Sequence, residues 1–459
     1  MTVLDGSSLE ESLAAVLDPV VGPVPIEGLH RLSGGASRET WAFTADGRDL
    51  ILRRDPPGRP SPPGAMALEA AAMRAAGRAG LRVPEVVVDD DGSILGTAGL
   101  VMARVPGETI ARRILRDDEY TTARAALTGQ LGEFLAGLHR IDPAEVPGIA
   151  EVDTLATYWE RYGQIDDVSP TFEAAYRWLE ANRPASAERV VVHGDLRLGN
   201  VIVDAHGLAA AIDWELVHLG DPLEDLAWLC TKAWRFGAPR PVAGVGSIDE
   251  LLAAYEAAGG PQVDRDAFHW WLVMSTLKWG IGCMGQAAVH LAGAVRSVEL
   301  AAIGRRVAEQ EWDLLELVAP DAWAAAGAAP ADHPGREEAG LYGRPTAIEL
   351  LDAAEGFLRD DVMAATEGRI RFHSRVTANV LAIVSRQLAV DRVQEERFRQ
   401  GLRSLGAASA AELAAQIARG DHDDRTGDLY GFLAVAVRDR LAVANPRHLA
   451  GPGPEAVTR

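Results

Sequence analysis

HGDLRLGN (residues 193 to 200) and IDWE (residues 212 to 215) are the two stretches that decide how this chain folds. Between and around them, NVIVDAHG and LAAAIDW are short apolar runs divided by turn residues, which is typical of a buried β-hairpin. Pairing of these two runs would bring Asn200 and Asp213 to the same end of the hairpin, beside Asp195. Three oxygen-bearing side chains that are distant in sequence are therefore expected to converge.

The residue types at this point suit phosphoryl transfer. That reaction needs a carboxylate to receive or orient the attacking hydroxyl, and oxygen ligands that hold magnesium against nucleotide phosphates. Asp195, Asn200 and Asp213 together supply both kinds of group. His193 is interpreted as a hydrogen-bonded loop residue, and the acidic residues of GDPLEDLAWL (residues 220 to 229) as a brace for the loop.

The two motifs resemble those of the aminoglycoside-phosphotransferase and choline-kinase branch of the protein-kinase-like fold. In that branch HGDxxxxN replaces the HRDxxxxN loop of protein kinases, and IDWE stands where protein kinases have DFG. The resemblance implies that Asp195 is the catalytic base and that Asn200 and Asp213 are magnesium ligands. It also implies ATP and Mg²⁺ as cofactors, and it places Arg197 where a basic residue can approach the transferred phosphate.

Nucleotide binding is predicted on the N-terminal side of these motifs. LSGGAS (residues 32 to 37) falls between the first two expected strands, and its small residues can bring backbone N–H groups close to phosphate oxygens. The predicted phosphate contacts are Ser33, Gly34, Gly35 and Ser37. Adenine is expected to be recognised by backbone groups near Val101, Met102 and Ala103, in the connection between two lobes.

The strand lysine that kinases of this fold use to hold phosphates is missing, because the first 231 residues contain no lysine. LILR (residues 50 to 53) best matches the expected strand. Arg53 is therefore predicted to hold the phosphates, with Glu69 of the following helix as its partner. Arg54 is the alternative if the register slips by one residue. Arginine can clamp phosphate with two hydrogen bonds, although it is bulkier than lysine.

The remaining patterns predict an α+β, bilobal kinase-like fold followed by a separate all-α domain. Residues 1–104 form the β-rich nucleotide-binding lobe, and residues 105–318 form the helical catalytic lobe that contains the hairpin. Residues 319–343 are rich in Ala, Pro and Gly and are interpreted as a linker. Three amphipathic helices are expected in residues 344–459, two of them over residues 369 to 390 and 393 to 406. This region resembles a small helical domain of unknown function found with such kinases.

The amino-acid composition indicates which partners and which cellular compartment suit this protein. The net charge is −21, and residues 341 to 459 contain 16 Arg and 16 Asp or Glu, so the whole imbalance lies in residues 1 to 340. Such an acidic segment disfavours nucleic acid. The only cysteines are Cys230 and Cys283, which suits a reducing compartment, and no apolar run is long enough for a membrane span. A cytoplasmic enzyme without nucleic-acid or membrane partners is expected.

The acceptor and the role of the C-terminal domain are open. LILRRDPPG (residues 50 to 58) and the helix around Trp270, Trp271 and Trp279 resemble kinase domains associated with acyl-CoA dehydrogenases, which implies a hydroxyacyl-CoA or hydroxy acid as acceptor. An aminoglycoside is the alternative, because carboxylates of an acidic lobe attract ammonium groups. A catalytically silent ATP-binding regulatory protein is the alternative of another class. The helical domain could mediate homo-oligomerisation or bind a partner protein.

Overall fold

The computed structural model describes residues 6–32, 38–185, 187–328, 341 and 343–450, without the side chains of residues 6 to 8. Its chain divides into two compact units. The first unit consists of Met1–Asp153 and Ala185–Trp271, and the second of Thr154–Pro184 and Leu272–Arg459.

The first unit begins with a helix and a five-stranded antiparallel sheet. The elements are α1 (Gly6–Val21), β1 (Glu27–Arg31), β2 (Glu39–Ala45), β3 (Arg48–Arg54), α2 (Ala65–Arg78), β4 (Val86–Asp90) and β5 (Gly99–Ala103). The spatial order is β1-β2-β3-β5-β4. Asp46 and Gly47, both with positive φ, form the tight turn between β2 and β3, as two-residue hairpins require. Leu50 and Leu52 of β3 share a hydrophobic core with Leu13 and Leu17 of α1, which the sequence did not predict.

The chain then becomes mainly helical. In order, it forms α3 (Ala111–Arg116), α4 (Thr121–Leu138), α5 (Thr154–Gly163), α6 (Pro170–Ala181), β6 (Val190–Val192), β7 (Val201–Asp204), β8 (Gly207–Ala211), β9 (His218–Gly220), α7 (Pro222–Cys230), α8 (Ile248–Ala257), α9 (Arg265–Leu291), α10 (Val298–Gly304), α11 (Val307–Val318) and α12 (Pro320–Gly327). β7 and β8 form the predicted hairpin, whereas β6 pairs with β9, a strand that the sequence did not indicate.

The C-terminal helices belong to the second unit. They are α13 (Ala347–Gly356), a π-helical turn (Phe357–Val362), α14 (Met363–Ala365), α15 (Gly368–Ser404), α16 (Ala410–Arg419), α17 (Thr426–Ala444) and α18 (Pro446–Leu449). The core of this unit is formed by side chains from several helices, including Trp312, Leu413, Leu433 and Val437. Thus α6, α11 and α12 share a core with α16 and α17.

Two sequence expectations differ from this structure. Separate helices were expected before and after residue 391, but α15 is continuous through it because the junction contains neither Gly nor Pro. The first part of the expected linker is α12, which starts with Pro320 at its first turn and packs Trp323 against Trp312. Residues 329 to 340 of the linker lie outside the described part. Among the described helices, none combines the length and the apolar character needed to cross a bilayer.

Candidate active site

The loop after β6 carries the HGD motif in a conformation that only glycine adopts easily. Gly194 has φ of 76°. A Cβ atom at this position would lie 2.5 Å from the carbonyl oxygen of Leu216, far inside van der Waals contact. The chain can therefore turn here, directly before Asp195, only because residue 194 lacks a side chain.

The β7–β8 hairpin brings Asn200 and Asp213 together. The backbone N–H of Ile212 donates to the carbonyl oxygen of Asn200 at 2.9 Å, so the two residues lie at the same open end of the hairpin. Asp213 has a left-handed backbone, with φ of 68°, which non-glycine residues adopt at a cost and mainly where a site requires it. The convergence predicted from the hairpin is present.

Three side-chain donors hold the carboxylate of Asp195. Asn200 Nδ2 donates to Oδ2 at 2.6 Å, Trp228 Nε1 donates to Oδ1 at 2.8 Å, and Arg197 Nε donates to Oδ1 at 3.2 Å. The Asp195 side chain is 13% exposed, so it remains accessible while its orientation is restricted. Such preorganisation is what a group that acts on a reacting hydroxyl requires.

Trp228 and Trp234 are site residues that the sequence did not reveal. The Arg197 guanidinium lies 4.6 Å from the centroid of the Trp234 ring, a cation–π geometry. The rings of Trp228 and Trp234 are 5.2 Å apart. In the sequence both tryptophans fall in apolar helical segments and cannot be distinguished from core residues. A tryptophan donor beside the HGD aspartate is detectable only from the folded chain.

Arg53 and Arg54 point to different environments. Arg53 Nη2 lies 2.5 Å from Asp213 Oδ1, and its Nη1 lies 3.6 Å from Glu69 Oε2. Arg54 donates to Glu39 at 2.9 Å and lies over the ring of Trp41. Of the two candidate arginines, only Arg53 therefore faces the hairpin end that carries Asp213.

Glu69 is shared with a second arginine that the sequence did not single out. Arg38 Nη1 donates to Glu69 Oε1, and Arg38 Nε lies 3.5 Å from Asp55 Oδ1. Arg38, Asp55 and Glu69 are all buried. Asp55 in turn accepts from the backbone N–H and hydroxyl of Ser61. Glu69, expected to pair with Arg53, is thus held more closely by Arg38, and this leaves Arg53 close to Asp213.

The charges at the hairpin end are well defined. Burial, the largest single effect, would raise the pKa of Asp213. The charge and hydrogen bond of Arg53 together with His193 and Arg197 lower that pKa below its usual value, so the carboxylate is ionised at neutral pH. Burial lowers the pKa of His193, which is therefore neutral. Its Nε2 donates to the carbonyl oxygen of Ile212 at 3.1 Å, and its Nδ1 accepts from the N–H of Asp195 at 3.3 Å. The structure thus gives His193 the loop-bracing role.

Asp225, in the first turn of α7, holds the backbone of the HGD loop. Its carboxylate accepts the backbone N–H groups of His193 at 2.7 Å and Gly194 at 2.9 Å. Burial by itself would raise the pKa of Asp225. The contacts with His139 and His193 outweigh burial, so the pKa of Asp225 lies below its usual value. Asp221 accepts from Leu223 N–H and so caps α7. Of the acidic residues in this segment, Asp225 braces the HGD loop directly, as the sequence indicated, whereas Asp221 caps the helix that carries Asp225.

The structure describes only some of the predicted nucleotide contacts. Ser33, Gly34, Gly35 and Ser37 lie outside the described residues. Val101, Met102 and Ala103 belong to β5, which is paired with β3 on one side and β4 on the other. The N–H of Ala103 donates to Glu85, and the N–H of Arg104 donates to Asp49. The sheet therefore already uses the Ala103 and Arg104 amides, and adenine recognition by backbone groups near Val101, Met102 and Ala103 stays a prediction.

The oxygen atoms at the hairpin end fit a magnesium ion. The Asn200 amide nitrogen donates to Asp195, so the amide oxygen is the atom that remains for a cation. Asp213 adds an ionised carboxylate. Mg²⁺ prefers such oxygen ligands and typically takes only one or two from the protein, with phosphate and water oxygens completing its shell.

A kinase-like sheet and hairpin that position a carboxylate beside two further oxygen-bearing side chains and an arginine define the class of protein as a phosphotransferase. The fold is shared with the crystal structure of a Ralstonia eutropha protein provisionally named an aminoglycoside phosphotransferase. The TM-score is 0.52 at 20% sequence identity, and the match covers 68% of this chain and 98% of that one. The expected kinase-like α+β fold is thereby confirmed.

The chain belongs to the phosphotransferase enzyme family known as APH, whose model matches residues 28–271, more than half of its length. Residues 364–448 match a domain of unknown function, DUF6285.

The curated relatives carry two kinds of name, acyl-CoA dehydrogenase family member and aminoglycoside phosphotransferase. Acyl-CoA dehydrogenase family member 10 of mouse is 27% identical over 323 residues, which is 65% of this chain and 29% of the mouse protein. Family member 11 of chicken is 29% identical over 346 residues, 68% of this chain and 43% of the chicken protein. The chain thus spans less than half of either relative. An aminoglycoside 3'-phosphotransferase of Streptomyces ribosidificus is 30% identical over 162 residues, 33% of this chain and 59% of that enzyme.

Proposed function

We propose that this protein is an ATP- and Mg²⁺-dependent phosphotransferase that moves the γ-phosphate of ATP to a hydroxyl group of a small molecule. The observation that carries the proposal is the Asp195 carboxylate, held by three donors, one of which, Asn200, also stands beside Asp213. A positioned carboxylate next to oxygen ligands of this kind is the minimal equipment for phosphoryl transfer.

Each residue has a defined task in the proposed reaction. Asp195 orients the acceptor hydroxyl and receives its proton as the new bond to phosphorus forms and the bond to the departing ADP breaks. Asn200 and Asp213 hold Mg²⁺, which would supply positive charge at the phosphates. Arg197 supports the transferred group. Arg53 binds the nucleotide phosphates, positioned by Glu69, which Arg38 holds in place.

The other proposed nucleotide contacts are made by the segment before β2 and by the strand β5 and the residues that follow it. The backbone of the loop containing Ser33, Gly34, Gly35 and Ser37 is proposed to bind phosphate oxygens. Val101, Met102 and Ala103 support the nucleotide site as part of β5. Since the amides of Ala103 and Arg104 both serve the sheet, we assign the adenine contact to the backbone of the segment that follows them, from Val105 onward.

The acceptor is proposed to be anionic, a hydroxy acid or a hydroxyacyl-CoA. Residues 231 to 247 contain Lys232, Arg235 and Arg240 and no acidic residue, although the chain as a whole has a net charge of −21. Of the three basic residues, Arg240 pairs with Glu250 of α8. This segment adjoins the catalytic loop, because Trp234 lies under Arg197. A cationic environment next to the base attracts carboxylate and phosphate groups and repels polycations. The names of the acyl-CoA dehydrogenase relatives favour the same acceptor class.

The aminoglycoside alternative is supported by the named activity of the Streptomyces relative, but not by the charge of the segment beside Asp195. A regulatory protein that binds ATP without turnover has less support still, because Asp195, Asn200 and Asp213 are all in place.

An acceptor panel tests the proposal. Purified protein is assayed for ADP release with ATP and Mg²⁺ in the presence of hydroxyacyl-CoAs, free hydroxy acids, aminoglycosides or choline, and the phosphorylated product is identified by mass spectrometry. We expect stimulation by an anionic acceptor and loss of turnover when Mg²⁺ is chelated. Stimulation by aminoglycosides alone would contradict the acceptor class, whereas ATP binding without turnover on any compound would support the regulatory alternative.

Trp228→Phe is expected to lower kcat about tenfold while leaving the KM for ATP nearly unchanged. Phenylalanine keeps an aromatic ring but removes the indole N–H that donates to Asp195, and a hydrogen bond to a charged group is worth about 1.5–3 kcal/mol. Steady-state kinetics separates the two constants. Trp323→Phe on α12 is the control for a general effect of losing a tryptophan. An unchanged kcat in Trp228→Phe would show that the indole does not position the base.

A further inference from the structure

The helical hairpin formed by residues 344–393, from α13 to the middle of α15, has almost no core of its own. None of the side chains of α13, the π-helical turn or α14 is buried. In this part of α15 only Ser374, Ala378 and Ile383 are buried. By contrast, nine residues of α17 are buried. Because helices in proteins are stabilised mainly by packing of an apolar face, this pair of helices needs a further partner.

The uncovered surface of this hairpin carries exposed apolar side chains on both helices. Of fifteen exposed large hydrophobic residues in the described chain, seven lie in this segment. The hairpin has a first arm, residues 344 to 367, and a second arm, residues 368 to 393 of α15. Leu350 and Phe357, both 58% exposed, are seven residues apart on the first arm. On α15, Ile370, Val384 and Leu388 are 60%, 36% and 47% exposed and follow a spacing of fourteen and four residues. Such heptad spacing is typical of a seam between packed helices.

The charges of the two arms are opposite and equal. Residues 344 to 367 contain two Arg and six Asp or Glu, whereas residues 368 to 393 contain five Arg and one Asp. Within the described part of the chain, Asp360 and Asp361 on the first arm and Arg371 and Arg392 on the second have no ion-pair partner among the salt bridges. The hairpin therefore presents an acidic arm and a basic arm that complement each other.

This charge pattern is self-complementary, which indicates that a second copy of the chain covers the apolar surface. In a twofold arrangement the first arm of one copy faces α15 of the other, and the same contact is repeated by symmetry. Acidic residues then meet arginines at both contacts. Two copies of a chain with net charge −21 repel each other. The hairpin itself has no net charge, so a contact between two hairpins adds little electrostatic repulsion.

We propose that the protein forms a homodimer in which the 344–393 hairpins of two copies pack through these apolar stripes as a four-helix bundle. Four-helix bundles use this combination of apolar seams and flanking charges. The phosphotransferase proposal does not depend on this assembly.

Sedimentation velocity on the full-length protein tests the dimer. The wild-type chain of 48.9 kDa is expected to sediment with twice that mass at micromolar concentration. Val384→Glu combined with Leu388→Glu places like charges in the seam and is expected to weaken dimerisation at least about 100-fold. Val289→Glu with Leu291→Glu, two exposed apolar residues at the end of α9, is the matched control and should remain dimeric. A monomeric wild type, or a dimeric Val384→Glu/Leu388→Glu variant, would overturn the proposal.

Charge reversal provides a test that does not depend on disrupting the seam. One variant carries Arg371→Glu and Arg392→Glu, and the other carries Asp360→Arg and Asp361→Arg. Either pair of substitutions brings the net charge of one arm to zero, so the homodimer of each variant loses the charge attraction at both contacts and should be monomeric at low salt. In an equimolar mixture the acidic first arm of one variant meets the basic α15 of the other at one contact, so heterodimers should form. Recovery on mixing also demonstrates that both variants are folded. A mixture that stays monomeric would rule out the pairing of the first arm with α15.

Discussion

Asp195→Ala is expected to lower kcat by about 10²- to 10⁴-fold, the range contributed by a positioned acid or base. ATP affinity should stay nearly unchanged, because the phosphate and magnesium contacts proposed here belong to other residues. Asp195 accepts hydrogen bonds from Asn200, Trp228 and Arg197, so alanine also leaves these donors without their acceptor. Turnover is measured by ADP release, and binding of ATP with Mg²⁺ by isothermal titration calorimetry.

Asp195→Asn separates proton transfer from architecture. Asparagine retains the size of the side chain and one acceptor oxygen, but it cannot take the proton of the acceptor hydroxyl. The loss of kcat should therefore be similar to that in Asp195→Ala, with a smaller change in thermal stability. Asp166→Ala, at an exposed position, is the control and should behave as wild type. If Asp195→Asn keeps most of the rate, Asp195 is a structural residue and not the base.

Arg38→Met is expected to destabilise the protein by about 3–5 kcal/mol, the typical cost of removing one partner of a buried ion pair. Arg38 is 6% exposed and contacts both Glu69 and Asp55, which are 1% exposed. Without Arg38, Glu69 retains only the longer contact to Arg53, and Asp55 retains Ser61. Urea denaturation followed by circular dichroism measures the change in the free energy of unfolding.

Arg48→Met is the matched control for Arg38→Met. Arg48 pairs with Glu85 at 2.8 Å, but both side chains are well exposed, so its loss should cost no more than about 1 kcal/mol. Adding Glu69→Leu to Arg38→Met should recover part of the stability, because no unpaired carboxylate then remains at position 69. Equal losses for Arg38→Met and Arg48→Met would show that the buried network contributes no more than a surface pair.

The arrangement of arginines supports the proposal that Arg53 takes the place of the missing strand lysine. Arg38 holds Glu69 from one side, and Arg53 reaches beyond Glu69 to Asp213. Burial of Arg38 and Asp55 makes this network rigid, since neither can move without losing its partner. Arg53 is thereby kept at the hairpin end, where the proposed phosphates and magnesium would lie.

Much of the catalytic centre follows from the sequence because its geometry is local. The β7–β8 hairpin is determined by two short apolar runs and a tight turn, and their pairing alone places Asn200 beside Asp213. Gly194, Asp195 and Asn200 lie within one loop. The β-rich N-terminal part and the helical C-terminal part likewise follow from periodicity, which depends on neighbouring residues.

Only the tertiary structure decided which partners the long-range side chains take. Arg53 meets Asp213 across 160 residues, Trp228 meets Asp195 across 33, and Arg38 meets Glu69 across 31. Periodicity indicates which face of a strand or helix is buried, but it does not identify what packs against that face. For the same reason the sequence did not show that β5 lies between two other strands, which commits its amides to the sheet. The chemistry of this protein is therefore readable from local motifs, whereas the network that holds it in place results from the packing of distant elements.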